Sequence, residues 1–175
     1  MAAEDRELAD ELTAMVDEQH EFVDQTGTEA DASLSPRQRM ERRAMFVRHA
    51  DRLMELLLAT GRWPAKAQVG ALAAQGAWLI AQHADTQLDV QRVALALLRV
   101  AVAEGTAGGS GARELAMLED RVAVNEGRPQ TYGTQIAEVI GGRPVPWPVT
   151  EPERLDERRA GVGLEPLAES TDRSA

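Results

Sequence analysis

Four short segments carry polar side chains whose types suit proton transfer or ligand recognition. They are Gln82-His83-Ala84-Asp85, Asp120-Arg121, the run QTYGTQ at 130–135, and Arg158-Arg159. The segment at 82–85 supplies an imidazole and a carboxylate, and the run at 130–135 supplies a phenol together with amides and hydroxyls. The two remaining segments supply a carboxylate and guanidinium groups. Such groups can move protons, stabilise developing negative charge and hold a polar ligand.

His83 is the residue with the most specific chemistry. The ordinary pKa of histidine, about 6.5, suits proton transfer at neutral pH, and His83 ends the apolar stripe of a predicted helix, where the helix dipole favours a protonated ring. Asp85 lies about 200° away on a continuous helix, so it can orient His83 only if the helix ends between them. The alternatives are a half-buried His83 bonded to a carbonyl and an Asp85 that only caps the next helix.

Tyr132, the only tyrosine, can donate a hydrogen bond to a developing oxyanion. Asp120 is a second candidate to orient His83, and Arg121 can bind a carboxylate or loop carbonyls. In the alternative interpretation, Tyr132 packs on the helices and the surrounding polar groups brace the loop.

The site residues predicted from these patterns fall into two groups. The catalytic candidates are His83, Asp85, Tyr132 and Asp120, and the substrate-binding candidates are Gln82, Arg121, Gln130, Thr134 and Gln135. We expect His83 to lie within reach of the YGTQ segment, the densest run of neutral hydrogen-bonding groups in the chain.

The residue inventory excludes several reaction classes. Cysteine is absent, which removes thiolate nucleophiles and thiolate metal sites. Lys66 is the only lysine, and no serine lies in a Gly-x-Ser-x-Gly elbow. Neither a dinucleotide-binding glycine motif nor a Walker loop is present. We therefore expect no cofactor.

A metal site is also not expected. The ligand candidates are His83 and Asp85 with His20, Glu21, His49 or Asp51. Their spacing matches neither His-Glu-x-x-His nor a paired Glu-x-x-His pattern.

The net charge argues against two kinds of partner. The chain of 175 residues has 19 basic and 29 acidic side chains, a formal charge of −10. This charge repels phosphate backbones and anionic lipids, so we expect neither nucleic acid nor membrane as a partner. The apolar runs are too short for a membrane span and the first residues do not resemble a secretory signal, which favours a cytoplasmic location.

Helical periodicity dominates the first two thirds of the chain. The spacing predicts helices over 4–25 and 36–60, with Ser35 as cap and Gly61 as stop. The stripe expected to face the core in the second helix is Met40, Ala44, Val47, Met54 and Leu58. The first helix is acidic and the second carries six arginines between Arg37 and Arg52, so an antiparallel pair would neutralise both. Further helices are predicted over about 69–83, 88–102 and 112–125, with Asp85-Thr86 as cap of the fourth.

The C-terminal third changes character. Gly141-Gly142 separates a segment of β-type residues from an arm with proline at every second position, which predicts a hairpin or an extended loop pair. A short charged helix follows through Arg159. The fold class is thus mainly α: a single domain over 1–168 with five or six helices and one small hairpin. It comprises a helical hairpin at 1–60, a motif-bearing core at 61–168 and a disordered tail at 169–175.

The motifs also support a resemblance. QHAD at 82–85, DRV at 120–122, PQxYGTQ at 129–135 and RRxxVGL at 158–164, with Trp63-Pro64 and Gly70 upstream, are together similar to a bacterial domain family of unknown function. The resemblance covers roughly 51–167, and it implies no reaction.

The function expected from these residues is a cofactor-independent enzyme that uses acid/base chemistry on a small polar molecule or peptide. One alternative is a non-catalytic module that binds a ligand or a partner peptide. Another is a purely structural role in which the motifs join the hairpin to the helices. A homodimer is compatible with the sequence.

Overall fold

The computed structural model describes residues 2–27, 33–108 and 111–169. Within them the chain is mainly helical, with six α-helices and one two-stranded hairpin, which confirms the predicted fold class. The elements are α1 (Ala3–Thr26), α2 (Pro36–Thr60), α3 (Lys66–His83), α4 (Leu88–Ala103), α5 (Gly111–Asn125), β1 (Ile136–Ile140), β2 (Arg143–Pro146) and α6 (Leu155–Gly161). None of the described helices is both long and apolar enough to cross a membrane.

The chain divides into two compact units, Met1–Gly108 and Gly109–Ala175. The first contains α1 to α4, and the second contains α5, the hairpin and α6. That residues 1–168 form a single domain stays a prediction. The predicted disordered tail lies, from residue 170 onward, outside the described residues.

Helix α2 begins and ends at the residues that the sequence indicates. The Ser35 hydroxyl accepts a hydrogen bond from the Gln38 backbone N–H, and the Gln38 side chain accepts one from the Ser35 N–H, a complete capping box. Pro36 occupies the first turn, where its missing N–H costs nothing. Gly61 ends the helix with φ of 65°, a left-handed conformation that glycine adopts without strain.

Ion pairs connect the acidic α1 to the arginine-rich α2. Arg52 Nε donates to Glu11 at 2.5 Å, and Arg48 Nη2 donates to Glu18 at 2.6 Å. Glu11, near the start of α1, pairs with Arg52, whereas Glu18, further along α1, pairs with the preceding Arg48. The two helices therefore run antiparallel, as predicted. The hydrogen bonds to Glu11 and Glu55 raise the pKa of Arg52 above its ordinary value. Such exposed pairs contribute only about 0–1 kcal/mol each to stability.

The predicted core-facing stripe of α2 is wrong by about one residue. Of its members, Met40 and Leu58 are 74% and 67% exposed, and Ala44 is also exposed. The face that is buried instead consists of Met45, His49, Ala50, Leu53 and Leu57. The physical reason is that this face includes a polar residue, His49, so a search for apolar residues alone selects the neighbouring face.

Glycines in α3 permit a break and a close contact. Gly70 has φ of 83° and ψ of 166°, which interrupts the helix just after its first turn. Gly76 faces α1, and a Cβ at this position would lie 2.9 Å from Val16 Cγ2 and 3.3 Å from the carbonyl oxygen of Leu12. The absence of a side chain at Gly76 therefore lets α1 and α3 approach closely.

The cap of α4 differs from the prediction, although the start of the helix does not. The helix begins at Leu88, and Gln87 occupies the cap position without a side-chain capping bond. Asp85 accepts instead from the side chain of Gln91, which lies one turn inside α4. The predicted Asp85-Thr86 cap is therefore wrong, although the break between α3 and α4 lies where it was expected.

The hairpin of the second unit forms at the predicted double glycine. Gly141 and Gly142 have φ of 58° and 78°, as required for a two-residue turn that matches strand twist. Pairing is antiparallel and runs from Ile140 opposite Arg143 to Ile136 opposite Pro146. The short predicted helix after it is α6, preceded by a 3-10 turn at Pro152–Arg154.

Candidate functional site

A continuous chain of hydrogen bonds joins three helices of the first unit. His83 Nδ1 at the end of α3 bonds to Gln19 Oε1 at 2.9 Å. Gln19 Nε2 bonds to His49 Nδ1 on α2 at 3.2 Å, and His49 Nε2 bonds to Glu18 Oε2 at 2.8 Å. Arg48 binds the other oxygen of Glu18. We call Glu18, Gln19, His49 and His83 the two-histidine network.

The centre of the network is buried and its ends are accessible. Gln19 is 5% exposed and His49 is 4% exposed, whereas the Glu18 side chain is 48% exposed and His83 is half-buried. The His83 ring also stacks on Phe46, with centroids 4.8 Å apart. Two independent contacts therefore fix the orientation of the His83 ring, a hydrogen bond at its edge and an aromatic ring against its face.

Helical spacing explains why polar residues meet inside the unit. Gln19 follows Leu12 and Val16 on the buried face of α1, and His49 lies between Met45 and Leu53 on the buried face of α2. Steps of three and four residues place each polar side chain on the face that carries the apolar ones. Since a buried amide or imidazole is costly without a partner, each satisfies the other.

An open cleft lies beside the Glu18 end of the network. Its volume is about 390 Å³. Its lining consists of Glu18, Glu21, Phe22, Gln25, Glu41, Ala44, Met45 and Arg48. Glu18 is thus both a lining residue and the acceptor for His49.

The other two predicted site residues of the first unit, Gln82 and Asp85, lie near the same end of α3. Gln82 is 7% exposed, and its Nε2 has no hydrogen-bond partner among the described residues. Asp85 is exposed and accepts from Gln91 Nε2 at 3.3 Å. The roles predicted for Gln82 and Asp85 stay predictions, whereas Gln19 is hydrogen-bonded to His83.

In the second unit, the carboxylate of Asp120 binds the YGTQ loop. Asp120 is fully buried. Its Oδ1 accepts from the backbone N–H groups of Thr131 at 2.7 Å and Tyr132 at 3.0 Å, and its Oδ2 accepts from the N–H of Thr134 at 2.9 Å and the hydroxyl of Thr134 at 3.0 Å. The loop thus folds around an anion that the chain itself supplies.

Gln130 and Gln135 complete the inside of the loop. The Gln130 side chain donates to the carbonyl oxygens of Gln135 and Trp147 at 2.9 and 3.0 Å and accepts from the Gln135 N–H at 2.9 Å. Arg121 Nη1 donates to Gln135 Oε1 at 2.7 Å. These bonds tie α5, the loop and the strand-like arm after β2 into one framework.

Two arginines of α6 hold the carbonyl side of the loop. Arg158 Nε donates to the carbonyl oxygen of Thr131 at 2.8 Å. Arg159, only 2% exposed, donates to the carbonyl oxygens of Tyr132 at 2.8 Å and Glu165 at 2.6 Å. Asp120 therefore binds the N–H groups of the loop while α6 binds its carbonyl groups.

This bonding pattern favours the bracing interpretation for four of the predicted site residues. The polar side-chain atoms of these four residues form hydrogen bonds with the loop and its neighbours. The residues are Asp120, Gln130, Thr134 and Gln135. The structure brings them together with Arg121 and the half-buried Tyr132 in the second unit. His83 belongs to the first unit and the YGTQ loop to the second. That His83 lies within reach of this loop stays a prediction.

Sequence reasoning did not identify the residues that connect His83 to α1 and α2. Gln19 was not a candidate, and His49 appeared only as a possible metal ligand. The available signal was the occurrence of each residue at a core-facing position of an amphipathic helix. Among the described residues, no group of three or more His, Asp or Glu side chains could hold a metal ion.

Comparisons with known proteins place the chain in a family without an assigned activity. No curated protein and no solved structure matches it. The sequence profile of a family of unknown function, DUF6624, matches residues 6–173. Because this match includes both compact units and nearly the whole sequence, the chain belongs to the DUF6624 family.

Proposed function

We propose that the protein is a cofactor-independent enzyme that uses acid/base chemistry on a small polar molecule or peptide, with His83 as the group that transfers the proton. The observation that carries this proposal is the fixed His83 ring, bonded to Gln19 at 2.9 Å and stacked on Phe46. A general acid or base must be held in one orientation to be efficient.

The hydrogen bond to Gln19 selects the atom that does the chemistry. Gln19 Oε1 can only accept, so His83 Nδ1 carries a hydrogen and donates it. Proton gain and loss at His83 then occur at Nε2. His83 is half-buried, and the face of Phe46 stabilises a positive charge on the imidazole.

A second candidate function is ligand binding without turnover. The cleft beside Glu18 favours it, because about 390 Å³ can accommodate a small molecule. Its lining combines the apolar side chains of Phe22 and Met45 with carboxylates. In this candidate function, His83 contributes to stability and not to chemistry.

The experiment that separates the two functions is a turnover screen with matched histidine variants. The wild-type protein, His83→Gln and His20→Gln are each incubated with a defined mixture of amino acids, dipeptides, sugars, esters and amides, and the mixture is analysed by mass spectrometry. Glutamine retains a donor toward Gln19 but cannot transfer a proton near neutral pH. His20 is an exposed histidine on α1 and serves as the control.

The expected result is a compound that wild type and His20→Gln convert and His83→Gln leaves unchanged. General acid/base catalysis by a positioned side chain contributes about 10²- to 10⁴-fold, so the variant should lose at least about 100-fold in rate. Equal conversion by His83→Gln and wild type would refute the assignment. A compound that is bound but never converted would favour the binding function.

A further inference from the structure

We propose that Gln19 and His49 are positioning residues that select the tautomer of His83. The inference deepens the proposed function and rests on it for its importance to catalysis, but the tautomer itself is a property of the folded protein. Its basis is the bonding order within the two-histidine network, in which each group fixes the donor or acceptor role of the next.

The bonding order begins at Glu18. An ionised carboxylate only accepts, so the Nε2 of His49 carries the hydrogen that bridges 2.8 Å to Glu18. With Nε2 protonated, the Nδ1 of a neutral His49 is an acceptor. Gln19 therefore turns its amide nitrogen toward His49, at 3.2 Å, and its oxygen toward His83, at 2.9 Å.

The reverse arrangement requires three changes at once. If His49 gained a proton on Nδ1, the Gln19 amide would have to turn over so that its oxygen faced His49. Its nitrogen would then face His83, whose Nδ1 would have to become an acceptor with the hydrogen on Nε2. The amide offers one acceptor and one donor side, so it cannot accept from both histidines in this geometry.

Charged groups of α1 and α2 lie at both ends of the network. Glu18 comes from α1, and its second oxygen is neutralised by Arg48 of α2. Glu21 and Glu41 line the cleft at this end. At the other end, the guanidinium of Arg42 lies 5.7 Å from the centroid of Phe46, the ring that stacks on His83.

Nitrogen-15 NMR of the imidazole rings tests the proposal directly. Protonated and unprotonated ring nitrogens have very different shifts, and the chain has only three histidines, with exposed His20 as internal reference. In the wild-type protein above neutral pH, we expect His83 in the Nδ1–H form and His49 in the Nε2–H form. The opposite tautomer at His83 would overturn the proposal without any variant and without any substrate.

Two substitutions test the direction of control. Gln19→Glu replaces the amide nitrogen with an acceptor, so His83 should keep its Nδ1–H while His49 gains a proton on Nδ1. His49→Phe removes the acceptor that orients the amide, so Gln19 can turn and His83 should become a mixture of tautomers. Circular dichroism identifies a variant that fails to fold. In that case the nitrogen-15 spectrum of the wild-type protein alone tests the tautomer of His83.

The combination of outcomes keeps this inference separate from the proposed function. An unchanged His83 tautomer in a folded His49→Phe protein would overturn the positioning role of His49, even if His83→Gln abolished turnover. Conversely, the expected tautomers with full activity in His83→Gln would leave the network correct and refute the acid/base role of His83.

Discussion

Asp120→Asn tests whether the buried carboxylate holds the YGTQ loop. The substitution preserves the size of the side chain but replaces one acceptor oxygen with an NH₂ donor. In the structure, Oδ1 accepts from Thr131 and Tyr132, and Oδ2 accepts from the N–H and hydroxyl of Thr134. An asparagine can keep its oxygen on only one of these sides.

The loss of stability follows from the bonds that cannot be kept. With the asparagine oxygen toward Thr131 and Tyr132, the buried N–H of Thr134 loses its acceptor, at a cost of about 1–3 kcal/mol. The Thr134 hydroxyl can rotate and accept from the new NH₂ group. The retained bonds weaken by about 1 kcal/mol because the acceptor is no longer charged. The second unit should therefore lose about 2–4 kcal/mol of unfolding free energy.

Amide hydrogen exchange measures this loss in the loop itself. Since about 1.4 kcal/mol corresponds to a factor of ten, the N–H groups of Thr131, Tyr132 and Thr134 should exchange roughly 30- to 1,000-fold faster in the variant. The control is Glu138→Gln, which removes the same charge from an exposed position on β1 and should change stability by less than about 0.5 kcal/mol.

Loop exchange rates in Asp120→Asn that match those of Glu138→Gln would refute the bracing interpretation. They would return Asp120 to the catalytic candidates, because a buried carboxylate without a structural role would then be available for chemistry.

Three further predictions concern packing, a buried guanidinium and metals. Gly76→Ala should lower stability by about 1–3 kcal/mol in urea unfolding, because the new Cβ would lie 2.9 Å from Val16 Cγ2, although alanine itself favours helix. Arg159→Lys should cost about 1–3 kcal/mol, because one ammonium cannot replace the separate bonds to Tyr132 and Glu165; an unchanged urea midpoint would contradict this. Treatment with a chelator should leave circular dichroism and thermal unfolding unchanged, and a lowered melting temperature would reveal a metal site.

The sequence predicts helix ends well where capping chemistry is local. Ser35, Pro36 and Gly61 specify α2 through their own backbone preferences, and the structure places its ends there. The core-facing side of the same helix is not predicted correctly. Its position depends on His49, which is buried because Gln19 and Glu18 on another helix provide partners for both of its ring nitrogens.

The candidate site shows the same division between local and distant information. The polar segments around Asp120 and Tyr132 were recognised from residue types, but the direction of their hydrogen bonds depends on loop geometry. The sequence left open whether Asp120 orients a histidine or braces the loop. Only the folded loop, with the Thr131, Tyr132 and Thr134 N–H groups turned toward one carboxylate, favours bracing.

Chemical rescue of His83→Ala by added imidazole tests the proposed acid/base role of His83 most directly. The compound converted by the wild-type protein in the turnover screen serves as substrate, and rates are measured over increasing imidazole concentration. If His83 transfers the proton, the alanine variant should lose at least about 100-fold in rate and regain activity in proportion to imidazole, with no such response in wild type. An alanine variant that turns over substrate at the wild-type rate would contradict the role of His83.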